Sequence, residues 1–99
     1  MKRSNMKAKL VSKNVTINGR RTSLRLERAS WEALADICKG EKLTIHELCS
    51  LIDNARHGSS RTSAVRAFIV IYFRTLAMDR GALPGGTASA ILPQLSMRR

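Results

Sequence analysis

The chain has 99 residues, enough for a single domain, since a chain of this size buries only about two-thirds of the surface its unfolded form exposes. Eighteen Lys and Arg against seven Asp and Glu give a formal net charge of +11, and a pI near 11.1 points to a polyanionic partner such as nucleic acid. Anionic membrane surface is the weaker candidate, and the longest strongly apolar run, Ala67 to Phe73, falls far short of the roughly 20 residues that span a bilayer, so no membrane-spanning helix is expected.

Residues 1–13 are basic and polar with no apolar period and are expected to form a flexible arm. No long apolar stretch follows their charges, so no export signal is read and the expected location is cytoplasmic, in association with the nucleoid. Positive charge is concentrated here: residues 1–28 carry Lys2, Arg3, Lys7, Lys9, Lys13, Arg20, Arg21, Arg25 and Arg28 against the single acid Glu27. The middle of the chain is slightly acidic, as suits a solvated scaffold behind a phosphate-facing end.

From Val15 the pattern alternates. Thr22, Leu24 and Leu26 face one way, and Arg21, Ser23, Arg25 and Glu27 the other, which predicts a half-buried strand over about 20–27. Asn18-Gly19 before it is a turn signal, so Val15–Ile17 either folds back as a hairpin or the pair makes a bulge.

After Glu27 the period becomes helical. Trp31, Leu34, Ile37 and Cys38 form one stripe of a helix over about 28–39, which Gly40 is expected to end. Thr44 and Glu47 have capping-box spacing and open a second helix over about 44–56, with Leu48, Cys49 and Ile52 on its apolar face. His57-Gly58-Ser59-Ser60 breaks it, and Ser60 or Thr62 can cap a third helix over about 60–78. That helix carries Val65, Phe68, Ile69, Tyr72, Phe73 and Leu76 and is apolar around much of its circumference. A buried strand is the competing reading of its middle, but the flanking residues hold the helical period for about five turns. Beyond residue 80 the chain turns to Gly, Ala, Ser and Pro and is expected to be a flexible tail, 81–99, with Ile91, Leu92 and Leu95 as its substantial apolar groups.

One strand and two short helices leave strand edges unpaired and an apolar stripe open, needs that a homodimer would meet. Two copies of the strand could pair antiparallel across a twofold axis, with Leu24, Leu26, Trp31, Leu34, Ile37, Leu48, Ile52, Phe68, Ile69 and Tyr72 as the dimer core. At this point Gly-Arg-Arg-Thr-Ser-Leu-Arg-Leu-Glu (19–27), Trp-Glu-Ala-Leu (31–34), Leu-Thr-Ile-His-Glu-Leu (43–48) and Thr-Ser-Ala-Val-Arg-Ala-Phe-Ile (62–69) together resemble the ribbon-helix-helix DNA-binding proteins, in the branch with an added third helix. The resemblance runs from Gly19 to about Arg74, within a DNA-binding domain expected over residues 14–80, and implies a mainly α fold, an intertwined homodimer with an intermolecular two-stranded ribbon, and a repressor that binds a palindromic operator in double-stranded DNA, with several dimers side by side on some sites. It assigns base contacts to Arg21, Ser23 and Arg25, and phosphate-clamping amides to Thr44 and Ile45.

Chemistry supports those roles independently. Arg donates two hydrogen bonds to guanine O6 and N7, and helix-start amides seat phosphate. Lys7, Lys9, Lys13 and Arg20 are expected to add sequence-independent phosphate contacts. His46, Cys49, Cys38 and His57 match no common zinc spacing, so neither metal nor cofactor is expected. The acids are scattered and no phosphate-cradling Gly-rich loop precedes a helix, so no enzyme is expected. Two alternatives remain open: an antitoxin whose residues 81–99 fold on a protein partner, and a binder of nucleic acid held by charge alone.

Overall fold

A computed structural model of the chain describes residues 9–78 and 87–96. The elements run β1 (Leu10–Ile17), β2 (Arg20–Glu27), α1 (Arg28–Glu41), α2 (Ile45–Ala55), α3 (Arg61–Met78), α4 (Thr87–Ile91) and a 3-10 turn (Leu92–Ser96). The fold is therefore mainly α, with a ribbon, two helices and a third helix in the expected order. Among the described residues no helix is long and apolar enough to cross a membrane.

β1 and β2 form an antiparallel hairpin, with Ile17 opposite Arg20 and Leu10 opposite Glu27. Asn18 and Gly19 both lie at positive φ, 49° and 82°, the backbone of a type I′ turn, whose twist matches that of the flanking strands. This decides between hairpin and bulge. A Cβ built at Gly19 meets nothing within 4 Å, so the cost of substitution there is purely local. Gly19→Ala is expected to lower stability by about 1–2 kcal/mol, the penalty of a left-handed backbone for a residue with a Cβ, read as a shifted denaturant midpoint at constant slope.

The hairpin changes the expected domain boundary. Residues 10–13, assigned by sequence to the arm, are the first half of β1. The alternation there is broken by Lys13, which occupies a core-side position yet remains exposed, its ammonium 5.2 Å from the centre of the Trp31 ring. A cation on an aromatic face does there what an apolar side chain does at Val11, Val15 and Ile17. Trp31 Nε1 in turn donates to the Val11 carbonyl at 2.9 Å, tying α1 to β1.

α1 runs past Gly40. It ends at Glu41, and the left-handed residue is Lys42 (φ 60°), whose N–H bonds the Cys38 carbonyl. The Gly40 signal was misleading because the position is helical. α2 begins at the expected capping box: Glu47 N–H donates to Thr44 Oγ1 at 3.0 Å and Thr44 N–H donates to Glu47 Oε1 at 2.8 Å. Of the two candidates for the start of α3, Ser60 makes the cap, accepting from the Ser63 amide at 3.1 Å. Asp53 joins α2 to α3 by accepting from both Arg56 and Arg61. Those two guanidinium groups, Arg61 first, hold its carboxyl below the usual range.

The residues expected in the core are buried, but within one chain: Leu24, Leu26, Trp31, Leu34, Ile37, Leu48, Ile52, Phe68 and Tyr72, with Ile69 half-buried against them. The premise that a single chain cannot close a core therefore fails. Two features supply the missing cover. β1 adds Val15 and Ile17 beside Leu24 and Leu26, and α4 adds Ala88 and Ile91. The segment 87–96, expected as part of a flexible tail, is helical and packs on α2 and α3. Its apolar residues are few, but Ile91 is fully buried. The rest of the expected tail (81–86 and 97–99) and residues 1–8 of the arm, Lys7 included, lie outside the described residues.

Candidate nucleic-acid interface

Strand pleating gives the hairpin two unlike faces. The inner face carries Val15, Ile17, Leu24 and Leu26, all buried. The outer face carries Arg21, Ser23 and Arg25 from β2, and opposite them Thr16, Asn14 and Ser12 from β1, all six exposed. Ser12 Oγ and Ser23 Oγ are 3.0 Å apart and hydrogen-bonded. Among the described residues neither Arg21 nor Arg25 enters a salt bridge, so both guanidinium forks face solvent. Alternate residues on a strand recur every 7 Å or so, about two base-pair steps of B-DNA.

The two outer edges of the hairpin also differ. The main-chain groups of Thr16, Asn14 and Ser12 on β1, and of Arg21, Ser23 and Arg25 on β2, point away from the ladder. On the β1 side α2 meets the end nearest the turn: the Thr16 N–H donates to His46 Nδ1 and the Asn18 N–H to Ser50 Oγ, both at 2.9 Å, while Asn18 Nδ2 donates to Asn54 Oδ1. His46, Ser50 and Asn54 recur at four-residue spacing, one row on one helix face. On the β2 side, among the described residues, no backbone hydrogen bond reaches Arg21, Ser23 or Arg25 from outside the hairpin. β2 thus keeps an open edge.

At the start of α2 the expected pair of free amides is reduced to one. The Thr44 N–H is held by the Glu47 carboxylate, because the capping box that starts the helix consumes that donor. Ile45 lies outside the box. Of the side chains assigned to phosphate, Lys9, Lys13 and Arg20 are exposed, but Lys13 and Arg20 stand at inner-face positions of the pleat, paired with Leu24 and Ile17, and not in the row of Arg21, Ser23 and Arg25. Glu27, at the end of β2, is turned inward toward α3: Arg66 donates to both its oxygens at 3.1 Å, and that pairing holds its carboxyl below the usual range.

Three of the residues that could have suggested a metal, His46, Cys38 and Cys49, have other roles in the fold. His46 accepts from β1, and burial pushes the Cys49 thiol up to about 12 and raises that of Cys38 as well. Such thiols stay protonated. Among the described residues no group of three or more His, Cys, Asp or Glu converges on one point.

Sequence reasoning overlooked Ser12, Asn14 and Thr16. The signal was present as a polar set alternating with Val11, Val15 and Ile17, but Lys13 obscured it.

A family model described as a ribbon-helix-helix domain matches residues 10–73. No curated protein matches the chain. Among solved structures, an uncharacterized protein from Bordetella pertussis Tohama I is similar over 95% of this chain and 82% of its own length, with a TM-score of 0.65 at 17% identity. That likeness is one of fold.

Proposed function

Since the chain belongs to the ribbon-helix-helix family, whose members are regulators that bind DNA as dimers, we propose that it is a sequence-specific transcriptional repressor, reading the major groove of a palindromic operator with Arg21, Ser23 and Arg25 of β2. The observation that carries the reading is the outer face of the hairpin, where two exposed arginines, in no salt bridge among the described residues, stand beside the outer edge of β2. Two copies of β2 joined antiparallel at that edge give a four-stranded sheet in the order β1, β2, β2, β1, with β2 twice at its centre. Twofold symmetry of the protein then calls for twofold symmetry in the DNA. The Ile45 amide at the helix start, with Lys9, Lys13 and Arg20, supplies phosphate contacts. The cytoplasm is where such a protein acts.

The antitoxin reading loses much of its basis, because residues 87–96 are spent on the chain's own core. Binding by charge alone does not account for two arginines held in register on a rigid ribbon.

Selection of bound sequences from random duplex DNA is expected to return a palindromic consensus containing guanine. Arg25→Ala is expected to cost about 1–3 kcal/mol on that consensus and to relax the preference at one pair of symmetry-related positions. A consensus without twofold symmetry, or full affinity in the variant by gel shift, would count against the proposal.

A further inference from the structure

Resting on that reading of β2, we propose that β1 is a second DNA-contacting strand, and that Ser12, Asn14 and Thr16 grip the phosphates along both walls of the groove instead of reading bases. Strand spacing decides between walls and floor. Neighbouring strands lie about 4.8 Å apart, so in a sheet with β2 twice at its centre each β2 axis sits about 2.4 Å from the dyad and each β1 axis about 7 Å. The major groove of B-DNA is about 12 Å wide, which puts its walls about 6 Å from its midline. β2 falls inside the groove and β1 over its rims.

The chemistry of the row agrees with that position. Ser12, Asn14 and Thr16 are short, neutral and exposed, and each offers a donor to a phosphate oxygen. They lack the reach and the forked geometry that β2 has in Arg21 and Arg25. The row is also held at its two ends. Thr16 is fixed through its N–H to His46, and Ser12 through its hydroxyl to Ser23. Because His46 belongs to the first turn of α2, the order from the dyad outward is β2, β1 and the start of α2. The β1 row and the Ile45 amide then lie on the same side of the reading strand.

The test uses the full chain with Ser12→Ala, Asn14→Ala and Thr16→Val combined. All three positions are on the hairpin's exposed face, and an unchanged thermal midpoint verifies that the fold survives. Two symmetry-related sets of three hydrogen bonds from neutral side chains to phosphate oxygens, taken at the low end of the usual contribution per bond, are expected to be worth on the order of 100-fold or more in affinity. The loss should be equal on the selected consensus and on a scrambled duplex, with the order of preference among single-base variants preserved. Neutral groups displace no counterions, so the slope of log affinity against log salt should not change.

Undiminished affinity in the triple variant would take β1 off the DNA. A loss confined to the consensus, with a changed preference at one base pair, would put β1 on the groove floor and overturn the assignment. A wild-type protein without sequence preference would overturn the reading of β2 alone, since the triple variant's loss would still report on the row. Failure of the wild type to bind any duplex would overturn both.

Discussion

Phe68→Ala is expected to be the most destabilising truncation in the chain, at about 3–5 kcal/mol. Phe68 is fully buried in the middle of α3, its ring 5.9 Å from that of Tyr72. Removing it takes away the transfer energy of a phenyl ring and leaves a void that helices tied on several sides cannot close. Domains of this size are stable by only about 5–15 kcal/mol in total, so the variant should be partly unfolded well below the wild-type midpoint. Phe73 provides the control. It lies five residues further on the same helix, is 38% exposed, and meets Tyr72 edge-on at 5.4 Å. Phe73→Ala is expected to cost about 1 kcal/mol, the scale of one aromatic pair. Urea titration of both variants measures the contrast; equal costs would mean that Phe73 is packed as fully as Phe68, and a reversed order that α3 is packed on the opposite face.

That contrast marks how far the sequence could be read. The 3.6-residue period of α3 distinguished helix from strand in an Ala-Phe-Ile-Val-Ile-Tyr-Phe run dominated by β-forming residues, because the flanks kept the period longer than a strand lasts. Alternation in β2 and the Thr44–Glu47 box were equally legible, since each is a local pattern with a local cause. What escaped were features settled by tertiary contact. Lys13 breaks the alternation of β1 yet fits by lying over Trp31, a residue eighteen positions away. Residues 87–96 have too little apolar content to announce an element, and they become one only on a surface made by α2 and α3. The reading face was half visible for the same reason: Arg21, Ser23 and Arg25 followed from β2 alone, whereas Ser12, Asn14 and Thr16 required the hairpin register. At the Thr44 amide the misjudgement was of another kind, since one donor cannot serve both a capping carboxylate and a phosphate.

Salt is expected to have the largest effect of any variable on DNA affinity. Lys9, Lys13 and Arg20 are exposed in each chain, so a dimer that sets them against phosphates neutralises six. At about 0.9 counterion released per phosphate, log affinity should fall with a slope near −5 against log salt, and binding should weaken about a thousandfold between 50 and 200 mM. Replacing Lys9 and Lys13 by Gln removes four of the six charges from the dimer and should flatten the slope by about 3 to 4. The double variant should lose affinity for every duplex alike, whereas Arg25→Ala should lose it chiefly on the consensus. Lys13 also lies over Trp31, so its removal carries a separate stability cost of about 0.5–1 kcal/mol. Measuring the slope rather than a single affinity separates the two effects, because a folding defect scales all affinities without changing their response to salt. A slope unchanged by the double substitution would mean that these lysines do not lie against the DNA backbone.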